Sequence, residues 1–373
     1  MDKASANSLK RGKTGNEFSY YCFCPDEQEL QSCYAFYENW AKSMYEYFNS
    51  ANNDFNKTQG RKLEFSYTWD DSINASAKEE GNHDIISVNE GTILNAYNLF
   101  CNLTTKSNPI PLCVELPPRT MFDTNIIHTN PERPDETIHA KMVYSDNPIC
   151  NNIGEHMAMF TIKFMIAHEM GHLLNAHSDL HVAICNKINE EKKKGLMWNE
   201  SLNALYLDLQ TLEFDADCFA ICRVIDEVVV YIQRNDSLIS ILKHPHDLLK
   251  MVAYSIHGFF YLRRDMDSEN YRISEHPPSL IREACVFDVI EAHLRKHYKY
   301  DCDKNLLFDD LPRVEQLLNS TNGLDGSLEY SSYLQSFGGK AGVHAKKLQE
   351  NYYTRISHML KTNAKVPIEG IDY

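Results

Sequence analysis

His168, Glu169, Met170, Gly171 and His172 form the run HEMGH inside an apolar-rich stretch, 153–177. Residues four apart on a helix sit roughly 40° from each other, so both imidazoles can reach one metal ion. Glu169 flanks the pair, where its carboxylate can hold and deprotonate a metal-bound water. The chemistry on offer is hydrolysis at a zinc ion, and it needs a third protein ligand.

Two residues compete for that place. His177 is near in sequence, but on a continued helix it lies roughly 140° round from His172 and 180° from His168, so it is expected to point away. A metzincin layout, with Gly three residues after the second histidine and His three further on, is excluded by Asn175 and Ser178. The alternative is Glu213, in the segment EFDADCFA (213–220). On a helix Glu213 shares a face with Ala216, Asp217, Ala220 and Val224, so its carboxylate projects among small apolar residues and calls for a cation. Asp217, one turn on, is placed to accept the free ring N–H of a ligating histidine.

The elements that carry these residues follow from periodicity. Met157, Phe160, Phe164 and Ala167 recur at helical spacing before His168, and Asn152 with Glu155 reads as a capping-box start. Upstream, a strand at 72–77, a polar turn at 78–83, a strand at 84–88 and a helix at 91–102 form a hairpin unit. Tyr34, Phe36, Tyr37, Trp40, Met44, Tyr45 and Phe48 line one face of a helix over about 26–50, an aromatic stripe expected to pack rather than bind ligand.

HExxH followed on a second helix by ExxxD resembles the gluzincin metallopeptidases. The finer E-x-x-A-D-x-x-A pattern is similar to the HtpX and CAAX-processing peptidases. His276-Pro277, with Arg282 five residues on from Pro277, resembles the HP-x-x-x-x-R element that those families carry after the glutamate. The resemblance implies His276 as the residue stabilising the oxyanion and Arg282 as its support. Those families sit in membranes, whereas the longest apolar stretch here, 157–167, is broken by Lys163 and falls short of the ~20 residues a bilayer needs. In layout the chain resembles more closely the soluble Lit-type phage-exclusion peptidases, over about residues 60–300. That likeness implies a bacterial cytosolic protease that cuts a host protein, such as a translation factor, in response to phage.

Composition agrees with a cytoplasmic enzyme. A net charge of −15 argues against nucleic-acid binding, and the amino-terminal residues lack the apolar core of a signal peptide. The 11 cysteines show no C-x-x-C repeat, so neither a disulfide framework nor a zinc ribbon is expected, and Cys218 and Cys222 read as small buried helix residues. Cys22, Cys24 and Cys33 match no common metal spacing.

The expectation is therefore an α+β, mostly α-helical chain with a zincin-like fold, its small β-hairpin packed beside the active-site helix. Residues 1–59 form a polar tail, disordered over 1–16, and a helix. The metallopeptidase domain spans 60–300, with a Pro-rich insertion or lid at 105–150 holding seven of the 13 prolines. Residues 301–373 form a helical cap broken by glycines at 323–326 and 338–339. Between His172 and Glu213 an exposed inserted helix or loop carries the charged run Glu190-Glu191-Lys192-Lys193-Lys194. One Zn²⁺ per chain, held by His168, His172 and Glu213 with Glu169 as general base, would cleave a protein or peptide substrate; no membrane partner is expected. The rival reading is a metal-binding regulatory or toxin-like module whose output is not cleavage.

Overall fold

The computed structural model describes residues 27–49, 60–105, 110–112, 120–130, 133, 135–195, 200–234, 237–242, 244–263, 271–302, 309–321 and 342–365. The tail at 1–16, Cys22, Cys24, Pro109, Pro117, Pro118, Pro131, Pro134 and the glycine breaks at 323–326 and 338–339 lie outside these residues.

Helix α1 (Glu27–Asn49) precedes strands β1 (Lys62–Thr68), β2 (Ala75–Glu80) and β3 (His83–Asn89) and helix α2 (Glu90–Thr105). β2 and β3 make a hairpin as expected, but β2 runs on through Glu80 where a turn at 78–83 was expected, and the chain turns at Gly81, whose φ of 57° is costly for a residue with a Cβ. β1, which the sequence reading passed over, pairs in parallel with β3, giving the order β1-β3-β2. Ile86 and Val88 of β3 are buried while the edge strands alternate half-buried with exposed positions, so one face of the sheet meets the helices.

The Pro-rich insertion is not irregular throughout. β4 (Met121–Thr129) and β5 (Thr137–Ser145) form a second, antiparallel two-stranded sheet. None of the prolines falls inside either strand, as a ladder that needs its N–H groups requires.

Helix α3 (Pro148–Leu174) carries HEMGH. Its start differs from the expected Asn152: the cap is Asn147, whose Oδ1 accepts from the Ile149 N–H at 2.9 Å, with Pro148 at the first helical position. Pro lacks only an N–H that would be orphaned there anyway. α3 is buried almost all round. Phe164 sits edge-on to Phe259 and Phe260 at 5.2 and 6.0 Å between ring centres, a contact whose loss to alanine costs about 3–5 kcal/mol. Lys163, 1 % exposed, is compensated by an ion pair with Glu227 and by the rings of Phe36 and Trp40 at 5.1 and 5.2 Å. The aromatic stripe of α1 thus packs on the helix that carries the histidines.

After α4 (His177–Lys193), which ends in the charged run, comes the long helix α5 (Glu200–Arg234). Cys218 and Cys222 are buried within it. Then follow α6 (Ser237–Leu242), α7 (Pro245–Arg263), a 3₁₀ turn Tyr271–Ile273, α8 (Ser279–Tyr298), α9 (Leu311–Thr321), α10 (Gly342–Asn351), a π turn Tyr352–Ile356 and α11 (Ser357–Lys361). The chain is mostly helical with small sheets. No described helix is long and apolar enough to cross a membrane.

Two contacts fix α3 in place. A Cβ added at Gly171 would lie 3.2 Å from Ala216 Cα and 3.3 Å from Phe219 Cβ, so the glycine in HEMGH and the alanine in EFDA let α3 and α5 cross closely. At the far end, the Lys365 N–H donates to the Leu174 carbonyl at 2.7 Å, while its ammonium reaches Asp84 on β3 at 2.9 Å. Tyr45 and Arg61 also donate to Asp84. The carboxyl-terminal segment thereby ties the end of α3 to the sheet.

Candidate metal centre

α3 and α5 bring three side chains to one point. His168 Nε2 and His172 Nε2 lie 3.0 Å apart, Glu213 Oε2 is 3.5 Å from His168 Nε2, and Glu213 Oε1 is 3.4 Å from His172 Nε2. Donors about 2.0–2.1 Å from a tetrahedral zinc stand about 3.4 Å from each other. The triangle therefore fits a small cation, and among the described residues this is the one such group of His, Cys, Asp and Glu.

The surroundings hold the ligand atoms in position. Asp217 Oδ1 lies 2.9 Å from His168 Nδ1, as its place one turn beyond Glu213 leads one to expect. Arg282, from the first turn of α8, grips Asp217 bidentately at 2.7 and 2.8 Å and reaches Glu213 at 3.5 Å. It braces Glu213 and the carboxylate behind His168. His276 lies on the segment before α8, half exposed, its Nδ1 2.9 Å from Glu213 Oε2. Six of the seven residues singled out from the sequence meet here, His168, His172, Glu213, Asp217, His276 and Arg282; Glu169 is the chain neighbour of His168, 9 % exposed.

Electrostatics follow from that packing. Burial works against the Glu213 carboxylate, yet the field of His276 and hydrogen bonds from His168, His172 and His276 hold it well below the usual carboxylate range. Asp217 is also buried, and the Arg282 guanidinium more than offsets the cost, lowering it. Burial alone would depress His168; its hydrogen bonds to Asp217 and Glu213 reverse this and lift it to about 9. Glu169 contrasts with these groups. No described residue hydrogen-bonds its carboxylate, although the residue is almost wholly buried.

His177 corrects the sequence reading. It does not point away: its Nδ1 lies 2.9 Å from His172 Nδ1, and its Nε2 is 2.8 Å from Asp215 Oδ2. The helical projection failed because α3 stops at Leu174. The Asn175 N–H returns to the Gly171 carbonyl, Ala176 adopts a left-handed φ of 58°, and a new helix starts at His177. Burial pushes His177 below its ordinary value despite the hydrogen bond to Asp215. Arg263, at the end of α7, was also missed. Burial and the repulsion of Arg282 lower it, while it feels the charges of Glu213, Glu169 and Asp217. Its single cationic residue at a helix end carries no sequence signal.

Set against protein-family models, curated protein sequences and solved structures, the chain matches none of them. The functional reading rests on the site itself.

Proposed function

We propose that this chain is a zinc-dependent endopeptidase of gluzincin type with a zincin-like fold, acting in the cytoplasm on a protein or peptide substrate. The observation that carries the reading is the convergence of His168, His172 and Glu213 next in the chain to a carboxylate, Glu169, that no described residue hydrogen-bonds. Two imidazoles and a carboxylate suit zinc with a position left for water. A bound zinc would supply an acidified water and a Lewis acid for the carbonyl oxygen.

The protein's own groups do the rest. Glu169 accepts the proton as water attacks the peptide carbonyl and returns it to the departing nitrogen, an exchange for which an otherwise engaged carboxylate would be unfit. His276, half exposed beside Glu213, is the residue to stabilise the oxyanion. β2 stands at an edge of the three-stranded sheet, where it offers backbone groups to an extended peptide. Cleavage in defence against phage remains part of the proposal by resemblance to the Lit-type enzymes.

Glu169→Gln tests the chemistry without changing shape. The variant should keep one zinc per chain by elemental analysis, while the new amino termini that the wild type generates in a cell lysate fall by about 10²–10⁴-fold. Undiminished cleavage by the variant would overturn the proposal. A wild type that binds zinc but generates no new termini in bacterial lysates, phage-infected ones included, would favour the metal-binding regulatory reading.

A further inference from the structure

His177 has no part in the reaction just described, yet it is 1 % exposed and packed against a ligand of the proposed centre. The left-handed turn at Ala176 exists in a residue that pays for a positive φ, and its effect is to fold the start of α4 back over the His172 ring. The two rings meet at 78° with their Nδ1 atoms 2.9 Å apart. On its far side His177 Nε2 meets Asp215 Oδ2 at 2.8 Å, and the same oxygen accepts from Asn175 Nδ2 at 2.7 Å. Asp215 is itself on α5, two residues from Glu213.

Hydrogen placement along this chain has one consistent solution. A ring nitrogen that faces a cation must be bare, so a ligating His172 Nε2 puts the His172 proton on Nδ1. That proton needs an acceptor, and the atom at 2.9 Å is His177 Nδ1. His177 Nδ1 is then bare, its proton sits on Nε2, and the Asp215 carboxylate accepts it. No donor faces a donor and no lone pair faces a lone pair. His168 is oriented differently, with Nδ1 2.9 Å from the Asp217 carboxylate that Arg282 holds.

We infer that His177 and Asp215 form a relay that fixes the tautomer and ring plane of His172, so both are positioning residues for metal affinity although neither reaches the metal. The inference rests on the proposed metal centre. It also gives the connection between α3 and α4 a purpose: the helix must break after Leu174 for His177 to return. Asn175 contributes by holding Asp215 from the side.

The test measures zinc affinity of the full chain by competition with a chromophoric chelator, with the Co²⁺ absorption spectrum as a second readout. His177→Phe keeps the ring shape and removes both nitrogens. It should weaken zinc about 10–100-fold and alter the Co²⁺ bands. His177→Asn places an oxygen where Nδ1 stood and should retain more affinity than His177→Phe. Asp215→Asn should lie between wild type and His177→Phe. Melting temperatures of the metal-free proteins separate this from a packing role: a lowered melting temperature with unchanged zinc affinity overturns the relay, as does equal loss in the Phe and Asn variants. A wild type that binds no zinc would instead overturn the metal centre itself, a result distinguishable from relay failure because the latter leaves wild-type stoichiometry at one.

Discussion

Two buried clusters in this protein are built from histidine and glutamate, and they are put together in opposite ways. At His257 on α7, the ring is wholly buried, Nδ1 meets Glu283 of α8 at 2.7 Å and Nε2 meets Glu315 of α9 at 2.8 Å. Each nitrogen has its own carboxylate, so the cluster is closed. At the α3–α5 crossing, His168 and His172 spend their Nδ1 atoms on Asp217 and His177, and turn their Nε2 atoms toward each other and toward Glu213. What separates a salt bridge from a group able to hold a metal is therefore convergence rather than composition. In the first, each ring nitrogen faces a separate carboxylate; in the second, two ring nitrogens and one carboxylate converge on a single point, where a cation would find three donors.

Breaking each cluster should give opposite results: zinc lost with the fold kept at the open one, and the fold weakened with zinc kept at the closed one. Glu213→Ala deletes one of the three proposed protein ligands. If binding of about 10 kcal/mol or more is shared among them, the loss is roughly 3 kcal/mol, on the order of a hundredfold in affinity. Elemental analysis after exhaustive dialysis should then fall from one zinc per chain to none, with the metal-free fold intact by circular dichroism. Full zinc retention in Glu213→Ala would mean that the ligand assignment is wrong and that the two clusters differ less than their geometry says.

His257→Leu is the complementary break. It leaves Glu283 and Glu315 buried without their shared cation, a situation that costs about 3–5 kcal/mol. Denaturant midpoints should drop accordingly, while the folded fraction still carries one zinc per chain. Glu283 and Glu315 come from helices that the chain joins to α7 only at long range, so this loss reports on how α7, α8 and α9 are held together. An unchanged midpoint would show that the cluster contributes nothing net to stability.

The sequence revealed the open cluster and hid the closed one for the same reason. His168 with His172, and Glu213 with Asp217, are pairs one turn apart, and helix periodicity alone puts each pair on one face. His257, Glu283 and Glu315 sit on three helices, and no local spacing announces that they meet. His177 was hidden by a rule correctly applied to the wrong object: projection round a helix assumes that the helix continues, whereas Ala176 breaks it with none of the glycine or asparagine that usually marks a left-handed turn. Pro148 misled in a related way. Counted with the insertion's prolines it signalled irregular chain, but after Asn147 it marks the first turn of α3. The prolines likewise drew attention away from 121–129 and 137–145, which are free of them and pair as strands.

The smallest expected effect concerns pH and sharpens the comparison on the closed side. Burial alone would keep His257 neutral; the charges and hydrogen bonds of Glu283 and Glu315 outweigh it and lift the imidazolium to about 9. The ordinary value in an unfolded chain is about 6.5. A folded-state value above the unfolded one means that folding takes up a proton, so this contribution is fully present below pH 6.5, shrinks as pH rises, and is gone once pH has passed about 9. The span corresponds to about 3 kcal/mol. His293, paired with Asp226, is raised in the same direction, so the wild type alone cannot isolate one residue. The informative quantity is a double difference: unfolding free energy at pH 6 minus that at pH 9.5, wild type minus His257→Leu, both fully zinc-loaded. A positive value near that size is expected. Zero would mean that His257 is neutral between its two glutamates, and that one of them holds a proton in place of the ring.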